Sequence, residues 1–183
     1  MTTLDLALDD TRRWLERAVV GLNLCPFAKA VLVKGQVHFA ATDCADPAGI
    51  LDAFGQELEA LLARDASERD TTLFVIPQGM DDFLVFLEVV ARAERLVRKR
   101  GLASEVQVAH FHPRFVFAGA QDEDITNCTN RSPWPTLHLL REESIDRAVA
   151  AFPDASAIYG ANMERLRALG PAGWEALDVG PAR

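Results

Sequence analysis

The chain has 183 residues, 49% apolar and 25% charged, a balance that suits one globular domain with its own core and argues against disorder. Its formal net charge is −8, and the one dense basic run, RLVRKR at residues 95–100, closes an apolar helix and complements its dipole; no nucleic-acid partner is expected. Three scattered cysteines with no C-x-x-C pair exclude a disulfide framework, a thioredoxin motif and a zinc ribbon.

The first segment places Leu4, Leu8, Leu15, Ala18, Val19 and Leu22 on one stripe of a helix that should loosen near Gly21 and Asn23. QVHFAAT, residues 36–42, alternates as a half-buried strand does. DPAGILDAFGQELEALLAR is the clearest helix, with Asp46 as N-cap, Pro47 in the first turn and Ile50, Phe54, Leu58 and Leu61 on one face. TTLFVIP is a continuous apolar run, hence a strand covered on both faces. A helix over residues 81–100 follows and stops at Gly101; its apolar residues extend almost around it, so its first turns should be deeply buried.

EVQVAHFH, residues 105–112, reads as a third strand and TLHLLRE, residues 136–142, as a fourth. Ser144 is a candidate cap for a short helix carrying Ile145, Ala148, Val149 and Phe152 and ended by Pro153; a last helix covers about 156–168, and a Gly/Pro-containing tail trails off. The expected fold is a single α/β layered domain over residues 1–183, with a mixed, mainly parallel sheet of four or five strands whose last strand is antiparallel. A ferredoxin-like α+β sandwich is the alternative.

The densest collection of chemistry-bearing residues is HFHPRFVFAGAQDEDITNCTNRSPWPTLHLL, residues 110–140. It leaves a strand, where open sheets place ligand sites, and it is long for a compact chain. His110 and His112 share one face and could present two nitrogens to a divalent metal such as zinc, with Cys25, Asp122 or Asp124 completing the set. The other reading makes them structural histidines bonded to backbone. His138 is a candidate third ligand, general base or structural histidine. Asn127, Asn130 and Arg131 offer donors for an anionic small molecule, beside Trp134 stiffened by Pro133 and Pro135. The competing account is a rigid loop whose polar groups satisfy one another, or an oligomer contact anchored by Trp134. VIPQGMDDF, residues 75–83, has no phosphate-cradle glycine spacing and reads as an ordinary strand-to-helix turn.

GLNLCPFAKAV, residues 21–31, adds a cysteine before a proline. If Pro26 opens a short helix, Cys25 is its N-cap and Lys29 lies one turn on, an arrangement that favours thiolate. Leu22, Leu24 and Phe27 make a buried apolar plug equally reasonable, and a metal-ligand role remains open.

WLERAVVGLNLCPFAKAV, HFHPRF and TNRSPWPTLHLLREESIDRA together resemble a bacterial family of about this length, domain of unknown function 1415, over residues 14–147. That resemblance implies one soluble domain and carries no activity, cofactor or site. The residue chemistry points to a small enzyme acting on an anionic metabolite through a Cys/His/Asn/Arg pocket, by thiol–histidine or metal-assisted chemistry. A non-catalytic ligand-binding or homo-oligomerising domain is the alternative. With no basic leader followed by an apolar stretch and no long apolar span, a membrane is not an expected partner and the reducing cytoplasm is the expected setting.

Overall fold

The computed structural model describes residues 2–151 and 155–181. Helix α1 (Thr3–Trp14) starts at a capping box in which Thr2 and Asp5 each accept the other's backbone N–H. It runs directly into a π-helix (Leu15–Val20), whose wider winding shows in the Gly21 N–H to Glu16 carbonyl bond of 2.9 Å. The chain then turns at Asn23, with φ +51°, and short helix α2 (Ala28–Val33) leads to strand β1 (Val37–Ala41). Helix α3 (Pro47–Leu62) begins as its sequence predicts, with Asp46 Oδ1 accepting from the amides of Ala48 and Gly49. Strand β2 (Thr71–Val75), helix α4 (Phe83–Lys99) and strand β3 (Val106–Phe111) follow, then a 3-10 turn at Ile125–Thr129, strand β4 (Thr136–Arg141) and helices α5 (Glu142–Ala151) and α6 (Ala155–Ala176).

The four strands form one open mixed sheet in the order β1-β2-β4-β3, flanked by helices, so the α/β expectation holds. β1 and β2 are parallel, and β4 is antiparallel to both β2 and β3. Three strands therefore point one way and the last one runs against them, as the helix–strand alternation suggests. The unread feature is where β4 goes. It inserts between β2 and β3, so one ladder is parallel and two are antiparallel.

Two apolar layers enclose the sheet. On one face Phe74, Leu137, Leu139, Val106 and Val108 pack against Ile50, Phe54, Leu58 and Leu61 of α3 and Phe86, Val89, Val90 and Ala93 of α4. On the other, Leu73, Val37, Phe39 and Phe111 meet Trp14, Leu15, Ala18 and Val19. Helices on both faces separate this architecture from the ferredoxin-like alternative, which covers one face only.

Three local expectations change. The first turn of α4 is not deeply buried: Leu84 is 73% exposed, because the stripe facing the sheet begins at Phe86. Ser144 lies inside α5 rather than capping it, and its hydroxyl is directed to Asp70. The tail does not trail away. A kink at Gly170, with φ +67°, precedes a further helical turn that packs Trp174 against the α1 layer, while Arg13 and Arg17 donate to the carbonyls of Leu177, Asp178 and Gly180. Phe152 and Pro153 lie outside the described residues.

Candidate functional site

The register fixes which side chains share the α1 face. Leu73 pairs with His138 and His138 with Ala109, while Thr71 pairs with Leu140 and Leu140 with Gln107. Directly paired residues project to the same side of a sheet. His138, Thr71, Leu73, Leu140 and Gln107 therefore form the floor of a cavity of about 340 Å³. Its roof combines Leu15 at the start of the π-helix, Cys25, Phe27 and Val31 from the turn and α2, and Ile145, Ala148 and Val149 from α5. The walls are mainly aliphatic, with a thiol and an imidazole among them.

His138 is held by a short chain of hydrogen bonds. Its Nε2 lies 2.7 Å from Thr71 Oγ1, and that hydroxyl lies 2.6 Å from the Leu139 carbonyl. A hydroxyl has one proton, and a carbonyl can only accept, so Thr71 donates to Leu139 and receives its second bond from His138 Nε2–H. This leaves Nδ1 as the unprotonated nitrogen. The ring's open surface faces the cavity rather than bulk water, and burial pushes its pKa down to about 4, so it is neutral at pH 7. At the cavity mouth, Ser144 Oγ donates to Asp70 Oδ1 at 2.5 Å and receives Arg147 Nη2 at 2.8 Å.

Cys25 belongs to this layer, and His138 is the one histidine that shares its cavity. The cysteine is not an N-cap: α2 opens at Ala28 with Phe27 in the cap position, and the Cys25 carbonyl accepts the Ala28 N–H at 3.2 Å. Pro26 thus belongs to the preceding turn. Lys29 is exposed on α2 and is not part of the cavity wall.

The other two loop histidines lie across the sheet. His110 and His112 both contact the Phe86 ring, at 6.2 and 5.1 Å between centroids, which places them in the α4 layer. His112 is fully buried, accepts the Arg114 N–H on Nδ1 and lies 2.8 Å from the Met80 carbonyl through Nε2. Both nitrogens are engaged, so His112 has no lone pair to give a metal in this conformation. Burial lowers the pKa of His110 and of His112, against the raising influence of Glu94 on the former and of the Met80 bond on the latter. Asp122 is held by Arg131, and Asp124 Oδ1 accepts the amide and hydroxyl of Thr126. Among the described residues no three His, Cys, Asp or Glu side chains converge where an ion could be held.

The Asn–Arg group organises its own loop. Asn127, with no exposure, accepts the Phe117 N–H and donates to the carbonyls of Gln121 and Asp122. Arg131 donates to the carbonyls of Phe115 and Asp122 and to the Asp122 carboxylate. The Asn130 carbonyl accepts the His112 N–H, and Trp134 Nε1 donates to Asp10 of α1 at 3.0 Å. These bonds staple residues 112–134 and tie the loop to α1, away from the cavity. Cys128 is buried in the same region, where burial pushes its thiol up to about 11.

Sequence reasoning missed Thr71, Asp70 and Ser144. Thr71 reads as one more residue of an apolar strand, and its partnership with His138 depends on β4 lying beside β2, which no spacing announces. The break in the first helix is foreshadowed by Gly21 and Asn23, although its π character is not.

The fold places the chain among mixed α/β proteins built on one open four-stranded sheet with helices on both faces. A family model described as a protein of unknown function (DUF1415) matches residues 7–176, and the chain belongs to that family. Comparison with curated proteins and with solved structures finds no match. Among the described residues no helix is long and apolar enough to cross a membrane.

Proposed function

We propose that this protein handles a small, largely apolar molecule in the reducing cytoplasm, and that the cavity between the sheet and the Cys25 turn is where it binds. The observation carrying this reading is the co-location of His138 and Cys25 on one aliphatic cavity of about 340 Å³. That size lies within the range of small-molecule pockets, which typically pair apolar walls with a few fixed polar groups. His138 supplies such a group, because Thr71 fixes its ring and leaves Nδ1 to accept a hydrogen bond from the ligand. The expected Asn127, Asn130 and Arg131 contribution is not part of this pocket, so an anion must be held by other residues if the ligand carries one.

Enzymatic action is the second reading, favoured by a thiol and an imidazole with an unprotonated nitrogen lining the same cavity. In it, Cys25 Sγ adds to the electrophilic carbon of a polarised double bond in the bound molecule, the thiol proton passes to His138 Nδ1, and the π electron pair moves to the far atom of that bond, which then takes the proton from the imidazolium. A histidine whose pKa lies near 4 is a weak acceptor, which ranks binding ahead of catalysis. Calorimetric titration with 1-decanol tests the pocket. The wild type should bind one equivalent saturably, and Ala148→Phe, which fills the roof, should abolish binding while circular dichroism is unchanged. Equal binding by the two proteins would remove the cavity from the account. Alkylation of Cys25 by iodoacetamide against pH tests the thiol: a midpoint near the free-thiol value of about 8.5 means no activation.

A further inference from the structure

We propose that the ligand is an amphiphile with an anionic head: its aliphatic chain fills the cavity, and its carboxylate lies in the adjoining polar cleft. This rests on the cavity being a ligand site and adds the chemical class of the ligand. Cavity and cleft adjoin. Phe27, Val31, Asp70, Ser144 and Ala148 line both, and the cleft has a volume of about 760 Å³. A molecule lying across that shared rim passes from an aliphatic chamber into one ringed by charge.

Cations outnumber acids in the cleft by one, in a chain whose formal net charge is −8. Of its four cations, Arg147 is neutralised by Glu143 at 2.6 Å and faces Asp70 at 3.7 Å. Arg141 spends its donors on the carbonyls of Leu61, Arg64 and Arg69, which orient the guanidinium without cancelling its charge. Lys34 and Arg64 make no ion pair among the described residues; Arg64 donates to the Ala60 carbonyl one turn back. Against these three cations stand two acids, Asp65, whose carboxylate already accepts the Ser67 N–H, and Asp70, whose carboxylate accepts the Ser144 hydroxyl, so the cleft keeps an excess of one positive charge. Two unpaired cations beside a third suit a carboxylate, since charge-assisted hydrogen bonds are stronger than neutral ones and strengthen as water is excluded.

The cover over the cavity supports an aliphatic chain. Helix α5 is amphipathic and brings Ile145, Ala148 and Val149 to the cavity, yet none of its described side chains is buried and Val149 is 49% exposed. An alkyl chain beneath α5 gives this stripe the apolar partner that the sheet alone does not provide.

The test compares decanoate with 1-decanol by calorimetry on the wild type and on the double variant Lys34→Gln/Arg64→Gln. Both residues are exposed, so the variant should fold normally. Decanoate should bind the wild type more tightly than decanol does, and the double variant should lose about tenfold in decanoate affinity while binding decanol unchanged. Decanol and decanoate binding equally, with neither affected by the double variant, would overturn the anionic head and leave the apolar pocket standing. Binding of neither molecule would overturn both.

Discussion

Replacing His138 by Gln should remove a specific part of the protein's acid sensitivity. In the folded protein burial pushes His138 down to about 4, against an ordinary value of 6.5. Between those values the unfolded chain binds a proton that the folded one refuses. Stability therefore rises with pH across this window and is lost as pH falls towards 4. A difference of this size makes the full penalty roughly 3 kcal/mol below pH 4, of which roughly 2 kcal/mol develops between pH 7 and pH 5. Five aspartates, Asp5, Asp46, Asp65, Asp82 and Asp124, are held below the ordinary 3.8 by hydrogen bonds to their ionised form, and every carboxylate is common to the two proteins and cancels in the comparison. His38, His110 and His112 are also lowered by burial, but they contribute alike to both proteins. Urea unfolding at pH 7 and pH 5 should show the wild type losing roughly 2 kcal/mol more than His138→Gln across the step. Equal losses would refute the assignment of His138 as a neutral, desolvated imidazole.

Asn127→Ala should destabilise the fold by about 1–3 kcal/mol in denaturant, since it leaves the part-buried Phe117 N–H without its acceptor and takes one donor from each of the Gln121 and Asp122 carbonyls, and it should leave decanol binding intact. Cys128 should resist alkylation at pH 8 in the native protein, its thiol being raised to about 11, and react once urea exposes it; native mass spectrometry after labelling reads this directly. Bound decanoate should slow labelling of Cys25 and leave labelling of Cys44 unchanged. Zinc dialysed against the protein should not be retained stoichiometrically, because His112 has both nitrogens engaged; an equivalent of zinc lost in His112→Ala would contradict that geometry.

The elements that were legible are those whose signal is local. Asp46-Pro47, the Thr71–Val75 run and the alternation at residues 36–42 each specify a helix start or a strand within a few positions, and the structure has them there. The site is a product of topology. Cys25 and His138 stand far apart in the chain and line one cavity because β4 inserts beside β2, whereas His110 and His112, which look like natural companions of His138 in sequence, emerge on the opposite face. The Asn127–Arg131 loop misleads for a related reason. A long loop needs polar side chains to satisfy its own backbone, and that composition is the same one a binding loop would show. Burial of apolar residues leaves a helical pattern, but the void under Ile145, Ala148 and Val149 leaves none, since a cavity-facing residue and a core-facing residue are chosen from the same set.

The most direct test of the cavity as the ligand site is a titration with 1-decanol followed through the ring resonances of the four histidines. Only His138 lines the cavity, so its signals should shift saturably with one equivalent while those of His38, His110 and His112 stay in place. Saturable shifts at His110 or His112 with His138 unmoved would put the ligand on the other face of the sheet and contradict the account.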